Sequence, residues 1–505
     1  MAPMSAALGD GHLHGVDRIL DRWRRNAAPR RLSPVLGQDG HVIIIGAGPA
    51  GVFSAHFLRH LAREVGLHPR LTVFDAKDFT RSGPAGCNMC AGVVAGSLLR
   101  RMEACGLGLP PCVVQNRVNG FYLITRSGAL HLRREGPENT MVTVFRGNGP
   151  RPSPQTPVEN VSFDDAVLRA VAGSDLTVVR EPVTDIHLPQ RPHDPISVSY
   201  GRGESKDRME ADVVVGAFGS DSRLARRLAE GRAGYRCPRT VRACQAELRV
   251  GRDHIEDRLH GEIQVLNLGL PGIAFAALVP KGDFLTCTMV GYRDLGLEDM
   301  LEFLDHPRVR ARLPGGWRLP TQFCHCHPST VVSHAVRPFA DRLVMVGDAV
   351  CCRYLKNGME TAFDTAALAA YTITHIGISA QAFRDHFAAA CWNLVERDNR
   401  FGRALFRANR WIASRPRIAR PLLLLCRGPR EDPVSARAQE ALWGLFAGDR
   451  PYRDILRETF HPRVVSAAAR VLVTHNLARR GRDGRPVAPS DPAHLQEGAG
   501  PPGAA

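Results

Sequence analysis

The chain has 505 residues, of which 44% are apolar, and its formal net charge is +16. This length is too great for a single core and predicts two or three domains. Four of the 66 basic residues are lysines and 62 are arginines, and the excess positive charge favours phosphate-bearing cofactors and anionic surfaces as partners. No zinc-finger, RRM or basic-zipper pattern occurs, so nucleic acid is not predicted as a partner.

The thirteen cysteines are scattered over the chain, and we find neither a signal-peptide pattern nor an apolar run of about 18 residues. An odd number of dispersed cysteines favours a reducing compartment, and we therefore expect a cytoplasmic protein without a membrane-spanning helix. The basic N-terminal region contains one short amphipathic segment, Val16–Trp23. Two alternatives stay open for it, which are contact with a membrane surface and packing against its own domain.

The first strong motif is an apolar run followed by three glycines. Val42–Ile45 has the composition of a strand that is buried on both faces, and Gly46, Gly48 and Gly51 follow it as G-x-G-x-x-G. In a dinucleotide site the first glycine permits a tight turn, the second lets the backbone approach a pyrophosphate, and the third lets the next helix pack closely. A helix pattern and a second strand, Leu71–Phe74, supply the context that this motif requires.

Asp75 comes directly after that second strand and is the expected partner of a ribose hydroxyl. It lies 29 residues after Gly46, where about 20 is usual, and we attribute the difference to a long connection before the second strand. The alternative interpretation is that the glycine motif is a tight strand-to-helix turn that binds nothing.

The next glycine-rich segment contains Cys87 and Cys90, a C-x-x-C pair. With Cys324 and Cys326 these residues have acceptable ligand chemistry for zinc, although C-x-C spacing is unusual in structural zinc sites. A redox pair of thioredoxin type needs a βαβ setting that is missing here. We predict no metal site and leave the zinc alternative open.

Further along the chain, strand patterns recur before glycines. Ala211–Gly219 is predicted to be an apolar strand closed by glycines, and Arg342–Asp348 is a strand that ends in a Gly-Asp pair. Between them, Ile273–Val279 and Phe284–Val290 are predicted to be strands joined by the turn Pro280–Asp283, and this hairpin indicates a second sheet. Beyond residue 375 the pattern is helical and basic, and this region either meets a lipid surface or forms a helical cap.

Three segments in this order, GAGPAG, VVVGAFGSDSR and VMVGDAV, resemble the FAD-dependent oxidoreductases of the aromatic-hydroxylase and geranylgeranyl-reductase superfamily. The resemblance covers most of residues 41–375. It is closer to the geranylgeranyl reductases in three segments, Cys87–Val94, Val279–Gly291 and Ala447–Leu456. It implies an α/β fold, with a Rossmann-like FAD-binding domain of the three-layer ββα type, an inserted β-rich substrate domain and a C-terminal helical region.

Composition and the resemblance together predict how the chain is divided. The predicted regions are a basic extension over 1–40, a discontinuous FAD-binding domain over 41–112, 146–235 and 331–375, a substrate domain over 113–145 and 236–330, a helical region over 376–478 and a disordered tail over 479–505. The tail is rich in glycine, proline and arginine, with few apolar residues to form a core.

Carried over residue by residue, the resemblance assigns the FAD contacts. The residues that it implies for the ADP end, the middle motif, the ribityl chain and the pyrimidine edge of the flavin are Gly46, Gly48, Ala50, Gly51, Asp75, Gly219, Gly347, Asp348, Asn357, Gly358 and Met359. The last three begin a helix, whose positive end would favour the anionic reduced flavin.

Two departures from the family pattern bear on the reductant. Phe218 stands where the middle motif usually has aspartate, and the late motif has Cys351–Tyr354 in place of its usual proline. NAD(P)H is therefore one option for the electron donor, and a redox partner protein is another.

The function that the resemblance implies is reduction of a carbon–carbon double bond in a hydrophobic isoprenoid or lipid-like substrate. Cys90 is the candidate group near the reacting carbon, and Cys87 is the second candidate. Two alternatives stay open, a flavin-dependent monooxygenase or halogenase and a flavin-binding protein without turnover. The W-x-W-x-x-I signature of tryptophan halogenases does not occur.

Overall fold

The computed structural model describes residues 15–25, 31–136, 139–150, 160–173, 175–191, 194–203, 206–231, 234–356 and 358–480. Two predictions fall outside these residues, the role of Asn357 and nearly all of the disordered tail. The strands, in chain order, are β1 His41–Ile45, β2 Arg70–Phe74, β3 Val93–Val94, β4 Asn116–Val118, β5 Gly120–Thr125, β6 Gly128–Arg133, β7 Met141–Thr143, β8 Leu176–Val179, β9 Val183–His187, β10 Ile196–Tyr200, β11 Asp207–Ala211, β12 Val213–Gly216, β13 Thr240–Arg242, β14 Cys244–Arg249, β15 Ile263–Asn267, β16 Ile273–Lys281, β17 Phe284–Gly291, β18 His325–Cys326, β19 Ser329–Val331, β20 Phe339–Ala340 and β21 Leu343–Met345.

The described α-helices follow the same order along the chain. They are α1 Gly15–Arg25, α2 Pro49–Glu64, α3 Gly96–Ala104, α4 Phe163–Val171, α5 Arg223–Glu230, α6 Leu297–Asp305, α7 Pro307–Arg310, α8 Gly358–Tyr371, α9 Ala380–Ala382, α10 Ala389–Cys391, α11 Arg397–Ala413, α12 Pro416–Leu425, α13 Pro433–Ala447, α14 Tyr452–Thr459 and α15 Pro462–Arg480. Short π-helical segments join α8 to α11. Within the part of the chain described, no helix combines the length and the apolar character needed to cross a bilayer.

A six-stranded sheet in the order β20-β21-β12-β1-β2-β8 forms the centre of the first domain. All of its neighbouring strands pair in parallel except β20 and β21. Val42, Ile43 and Ile44 of β1 are fully buried, because the two faces of a parallel sheet are both covered by other elements. The apolar run in the sequence therefore predicted the central strand correctly.

Two helices that begin beside this sheet pack against each other. Phe363 of α8 lies with its ring centroid 5.1 Å from Phe53 and 4.9 Å from Phe57 of α2, in edge-to-face geometry. Such aromatic pairs add to the burial of apolar area. Their packing brings the N-termini of α2 and α8 to the same edge of the sheet.

A second sheet of seven strands, in the order β18-β14-β17-β16-β15-β5-β6, has its own core. Its predicted hairpin is confirmed as β16 and β17, but the turn is shorter than predicted. Pro280 and Lys281 pair with Leu285 and Phe284 and so extend both strands. One parallel pairing, β5 with β15, joins two segments that lie far apart in the sequence.

The predicted strand over Ala211–Gly219 is interrupted, and this part of the prediction was wrong. Ala211 ends β11 in a separate antiparallel sheet, and only Val213–Gly216 joins the central sheet. Asp212 divides them because its backbone N–H donates to the carbonyl of His41 at 2.9 Å, and its carboxylate accepts the backbone N–H of His41 at 2.8 Å. Asp212 therefore begins the pairing of β1 with β12.

The N-terminal helix α1 packs against its own domain, which was the second of the two alternatives for this segment. Val16 and Leu20 are buried, and the Trp23 ring lies 5.3 Å from the ring of Tyr371. A buried ion pair between Asp17 and Arg101, 3.3 Å apart, fixes α1 to α3.

Candidate functional site

A cavity of about 820 Å³ opens at the carboxyl ends of the central strands. Ile45 at the end of β1, Asp75 after β2, Ala217 after β12 and Val346 after β21 all line it. Ligands of open α/β sheets bind in such a crevice outside the strand ends, and the volume lies in the usual range of about 300–1,000 Å³ for ligand sites.

At two positions, the turn from β1 to α2 has no room for any residue larger than glycine. Gly46 has φ +106°, and a Cβ there would lie 2.4 Å from the carbonyl oxygen of Ala217. A Cβ on Gly51 would lie 1.8 Å from the carbonyl oxygen of Gly46. Gly48 and Ala50 line the cavity, whereas Gly51 shapes the turn from behind it. The geometry thus separates turn, approach and packing as the motif predicts.

Asp75 lies on the cavity wall and also holds the turn. Its carboxylate accepts the backbone N–H of Ala47 at 2.7 Å and that of Lys77 at 2.8 Å. An ionised carboxylate has about four acceptor positions, so two remain for a ribose hydroxyl. Its predicted role as the ribose partner fits this geometry and stays a prediction.

The middle and late motifs reach the same cavity. Gly219 lines it with φ +73°, and Asp348 lines it with a carboxyl group whose pKa is raised by burial. Gly347 does not line it; its φ is +62°, and its N–H donates to the Thr365 hydroxyl at 2.8 Å. Gly347 therefore positions Asp348 and has no direct exposure to the cavity.

The N-terminus of α8 closes another side of the cavity. Gly358 begins the helix, and both Gly358 and Met359 line the wall. The positive end of the helix macrodipole therefore points toward this space. A ligand with negative charge or with carbonyl oxygens suits that end.

Two cationic side chains near the glycine turn were missed from the sequence. Arg146 is buried, lines the cavity and donates from Nε to Asp164 at 2.7 Å. Burial lowers the pKa of Arg146, but the Asp164 carboxylate more than compensates and raises it overall. Lys77 donates to the Asn88 side chain at 2.9 Å. A single arginine among 62 gives no signal of its own.

The predicted cysteines differ in their placement. Cys90 lines the large cavity and also an adjoining small cavity of about 30 Å³, whereas Cys87 lines only the small one. The Cys90 thiol accepts the N–H of Gly92 at 3.4 Å, and burial raises the pKa of Cys87. The structure therefore brings Cys90, but not Cys87, to the site.

Cys324 and Cys326 line the same small cavity as Cys87 and Cys90. Burial raises the pKa of Cys324 to about 11 and that of Cys326 further, so these groups are thiols at neutral pH. Across the described residues no set of three or more histidine, cysteine or acidic side chains is arranged to hold a metal ion.

The far end of the cavity is built by the second sheet. Phe275 and Val290 give it an apolar surface, with Leu355 from the late motif. Gln245 and Thr288 are its polar members, and the Gln245 amide donates to the Thr288 hydroxyl at 3.0 Å. Apart from Leu355, these residues come from β14, β16 and β17, which no local motif connects to the glycine turn.

Lys356 is a further cavity residue that was not predicted from the sequence. It lines the cavity, its Nζ donates to the carbonyl of Phe446 at 2.6 Å, and it lies 5.7 Å from the ring centroid of Phe275. Burial, with a smaller contribution from Arg353, lowers the pKa of Lys356 to about 7, and Asp449 opposes the shift. The chain has four lysines, and the place of this one next to Asn357, a predicted FAD contact, was the signal by which the sequence could have indicated it.

The residues that line the cavity fit FAD in their donor chemistry. Gly48 lets the backbone approach a pyrophosphate, and the guanidinium of Arg146 lies 3.9 Å from where a Gly48 Cβ would be. The carboxylates Asp75 and Asp348 are 273 positions apart in sequence, yet both line the same space. FAD consists of two phosphates, two sugar-like chains and aromatic rings, and the lining residues are distributed along the cavity in a way that suits these parts.

Comparison of the sequence with family models gave no match, and none of the curated proteins matches the sequence. The structure is similar to a geranylgeranyl bacteriochlorophyll reductase-like protein from Thermoplasma acidophilum, with 16% identity, a TM-score of 0.56, and 84% of this chain and 98% of that chain covered. It is also similar to a flavoprotein/dehydrogenase from Cytophaga hutchinsonii, with 14% identity, a TM-score of 0.59, and 86% and 100% covered.

A halogenase solved in complex with FAD is a third similar structure, with 14% identity, a TM-score of 0.53, and 89% of this chain and 93% of that chain covered. These identities define a shared fold and leave the reaction open. The resemblance predicted from the three motifs is confirmed at the level of the fold. The chain has the fold of the FAD-dependent oxidoreductases, with a Rossmann-like domain and a substrate domain.

Proposed function

We propose that this protein is an FAD-dependent oxidoreductase that reduces a carbon–carbon double bond of a hydrophobic isoprenoid or lipid-like substrate. The observation behind the proposal is that one cavity joins the glycine turn to an apolar wall of the second sheet. A cofactor at one end and an apolar substrate at the other would therefore meet within a single cavity.

The cofactor end has residues for each part of FAD. The turn at Gly46 and Gly48 with Arg146 would hold the pyrophosphate, Asp75 the adenosine ribose and Asp348 the ribityl chain. Reduced FAD, when bound, supplies the hydride for the reaction. The protein itself has to orient the substrate and exclude water.

The substrate end must supply the second hydrogen of the product. Saturation of a double bond adds one hydride and one proton, and the proton has to come from the wall or from water. Lys356 and Cys90 line the cavity with exchangeable protons. We propose Lys356 as the donor, because a pKa of about 7 places proton transfer near neutral pH. Cys90 is the alternative donor or a contact to the reacting carbon. Cys87 ranks after Cys90 as a candidate because it lines only the small cavity.

A flavin-dependent monooxygenase or halogenase is the second candidate. The similar structures include a halogenase, and the hydrogen-bonded pair Gln245 and Thr288 provides polar contacts that an oxygenated or aromatic substrate could use. A flavin-binding protein without turnover is the third. The three differ in what reoxidises the reduced protein.

The deciding experiment is an anaerobic half-reaction. The protein is loaded with FAD, reduced with dithionite until the flavin band bleaches, and mixed with a polyprenyl alcohol or polyprenyl diphosphate without oxygen. The reductase proposal predicts that the flavin band returns and that mass spectrometry finds a product with two more hydrogen atoms. The saturated analogue of the same compound is the control and should leave the flavin reduced.

Two other results would replace the proposal. If only oxygen restores the band, and a substrate then gains an oxygen or halogen atom, the protein is a monooxygenase or halogenase. If neither the polyprenyl compound nor oxygen restores the flavin band faster than free reduced FAD is oxidised under the same conditions, the protein is a flavin-binding protein without turnover. The same experiment run with NADH, NADPH or a low-potential ferredoxin in place of dithionite identifies the electron donor.

A further inference from the structure

The outer surface of α11 and α12 combines positive charge with exposed apolar side chains. Residues 399–430 contain nine arginines and neither aspartate nor glutamate. Arg407 and Trp411 are four residues apart on α11, and Arg417 and Leu424 lie two turns apart on α12, so each pair shares one side of its helix. All four side chains are exposed. We call this surface the arginine–tryptophan face.

Exposed apolar side chains are concentrated in the C-terminal helical part of the chain. Of the eleven large apolar residues with the highest exposure among those described, six lie between residues 401 and 473, namely Phe401, Trp411, Leu424, Phe460, Val465 and Val473. Trp411 is 51% exposed, although tryptophan is usually well covered. Burial in this protein's own core therefore does not account for these side chains.

The arginines of the face lie apart from the carboxylates that the structure describes. Among described residues, no acidic oxygen lies within 4 Å of the guanidinium of Arg407, Arg417 or Arg420. Arg403, one turn before Arg407 on the same side of α11, does pair with a carboxylate, that of Glu396 at 2.6 Å. The Arg415 guanidinium stacks 4.5 Å from the ring centroid of Trp411. The positive charge of the face is therefore available to a partner.

The opposite side of α11 packs on the wall of the cavity. Phe406 is buried, and its ring centroid lies 6.3 Å from that of Phe275, which lines the cavity. The Asn267 amide of β15 donates to Asn409 at 2.9 Å. The same helix thus separates the candidate site from solvent.

We propose that the arginine–tryptophan face docks on a bilayer that contains anionic phospholipids. Arginine binds phosphate groups through planar paired hydrogen bonds, and tryptophan favours the interface between head groups and acyl chains. An amphipathic basic helix lies in that interface with its apolar residues inserted. Nucleic acid would satisfy the charge but would leave the exposed aliphatic side chain of Leu424 in water, so lipid explains more of the surface.

The proposal does not depend on the reaction, and its test uses no turnover. Full-length protein is sedimented with vesicles of phosphatidylcholine alone, and with vesicles of phosphatidylcholine mixed with phosphatidylglycerol. We expect at least about tenfold more protein on the anionic vesicles. Added salt should release it, because exposed charges are screened. Equal binding to both vesicles, or to neither, would overturn the proposal.

Charge variants locate the surface. Arg407→Glu with Arg417→Glu should lower partitioning to anionic vesicles by at least about 25-fold, since each arginine near such a surface strengthens binding about fivefold. Arg258→Glu with Arg318→Glu is the matched control, since both arginines are exposed and lie outside this face. If the control pair loses as much binding as the test pair, only net charge acts and the face is not the site.

Tryptophan variants test insertion separately from charge. Trp411→Ser should reduce binding to anionic vesicles about tenfold and abolish the blue shift of tryptophan fluorescence on vesicle addition. Trp392, which is 43% exposed in another helical segment, provides the control Trp392→Ser. A Trp411→Ser variant that binds and shifts like the unaltered protein would contradict docking through this face. Release of the protein from vesicles by an RNA competitor at low concentration would instead assign the face to nucleic acid.

Discussion

The two ends of the cavity are built in different ways. The glycine-turn end is built around contiguous residues, with Gly46, Gly48 and Gly51 in one turn between β1 and α2, to which Arg146 is added from a distant segment. The substrate end assembles side chains such as Gln245, Phe275 and Lys356 from elements far apart in the chain. At the glycine-turn end, close approach of the backbone decides which residue fits. At the substrate end, the backbone has room for many residues, and the chemistry depends on which side chains are present. Substitutions at the two ends should therefore fail in different ways.

The largest effect is expected at the turn, where the added atom has no room. Gly51→Ala places a Cβ 1.8 Å from the carbonyl oxygen of Gly46, and we expect it to lower the free energy of unfolding by about 3 kcal/mol through forced backbone shifts. Denaturant unfolding followed by circular dichroism measures this. Gly37→Ala is the control, because nothing lies within 4 Å of its Cβ. Equal stability of the two variants would show that the turn is not constrained as described.

The next effect concerns the cation at the same end. Arg146→Met with Asp164→Asn removes a buried ion pair as a unit, which avoids leaving one charge alone. We expect the fold to persist and FAD to bind about 10- to 100-fold more weakly, since hydrogen bonds from a charged group contribute about 1.5–3 kcal/mol. Titration with FAD measures the change. Arg169→Met with Asp165→Asn, an ion pair of 2.6 Å elsewhere on α4, is the control and should bind FAD normally.

At the substrate end, Lys356 predicts a pH dependence. Its pKa is lowered from 10.5 to about 7, so the proton-donating form is lost as pH rises through 7. We expect turnover to fall above that value, and Lys356→Met to be slow at every pH. Lys356→Arg, which keeps its proton, should remove the fall. A pH profile that is the same in all three proteins would exclude Lys356 as the donor.

The same shift affects stability with the opposite slope. Between about pH 7 and 10.5 the unfolded chain binds a proton at Lys356 that the folded protein does not, so stability should rise with pH over this window. Lys356→Met should lack that rise. Denaturant midpoints at a series of pH values provide a measurement that is independent of substrate identity.

The smallest effect is expected at the cysteines. Cys90→Ala should lower turnover moderately, because Cys90 lines the large cavity. Cys87→Ala should leave turnover within about twofold, since Cys87 lies on the small cavity only. Unchanged turnover in Cys90→Ala on the true substrate would remove Cys90 from the mechanism.

The sequence predicted what depends on local pattern. The strand Val42–Ile45, the tight turn at Gly46 and the position of Asp75 after the second strand follow from residues next to one another. The assignment of Asp348 came from the family resemblance, and the structure places it on the cavity wall. Ala211 was assigned to the wrong sheet, because the composition of an apolar run does not show that the next residue, Asp212, ends one strand and begins another. The fold class, with its two sheets, was predicted correctly.

The rest of the site could not be predicted, because it depends on which distant segments pair. The parallel pairing of β5 with β15 and the order of β14, β17 and β16 bring Gln245, Phe275 and Thr288 to one wall. Lys356 acquires its low pKa from burial, which no spacing in the sequence reveals. Side chains that act through tertiary burial are thus the part that only the structure could provide.

Binding of FAD in this cavity is common to every function considered for the protein. The direct measurement is the absorbance spectrum of the purified protein after incubation with FAD and removal of the free cofactor. We predict the bands of an oxidised flavin at about one per chain, and their loss in Gly48→Ala, whose Cβ would lie 3.4 Å from the Asn88 amide and 3.9 Å from the Arg146 guanidinium and would occupy space where the backbone approaches the cofactor. A colourless protein that retains no added FAD would contradict the account.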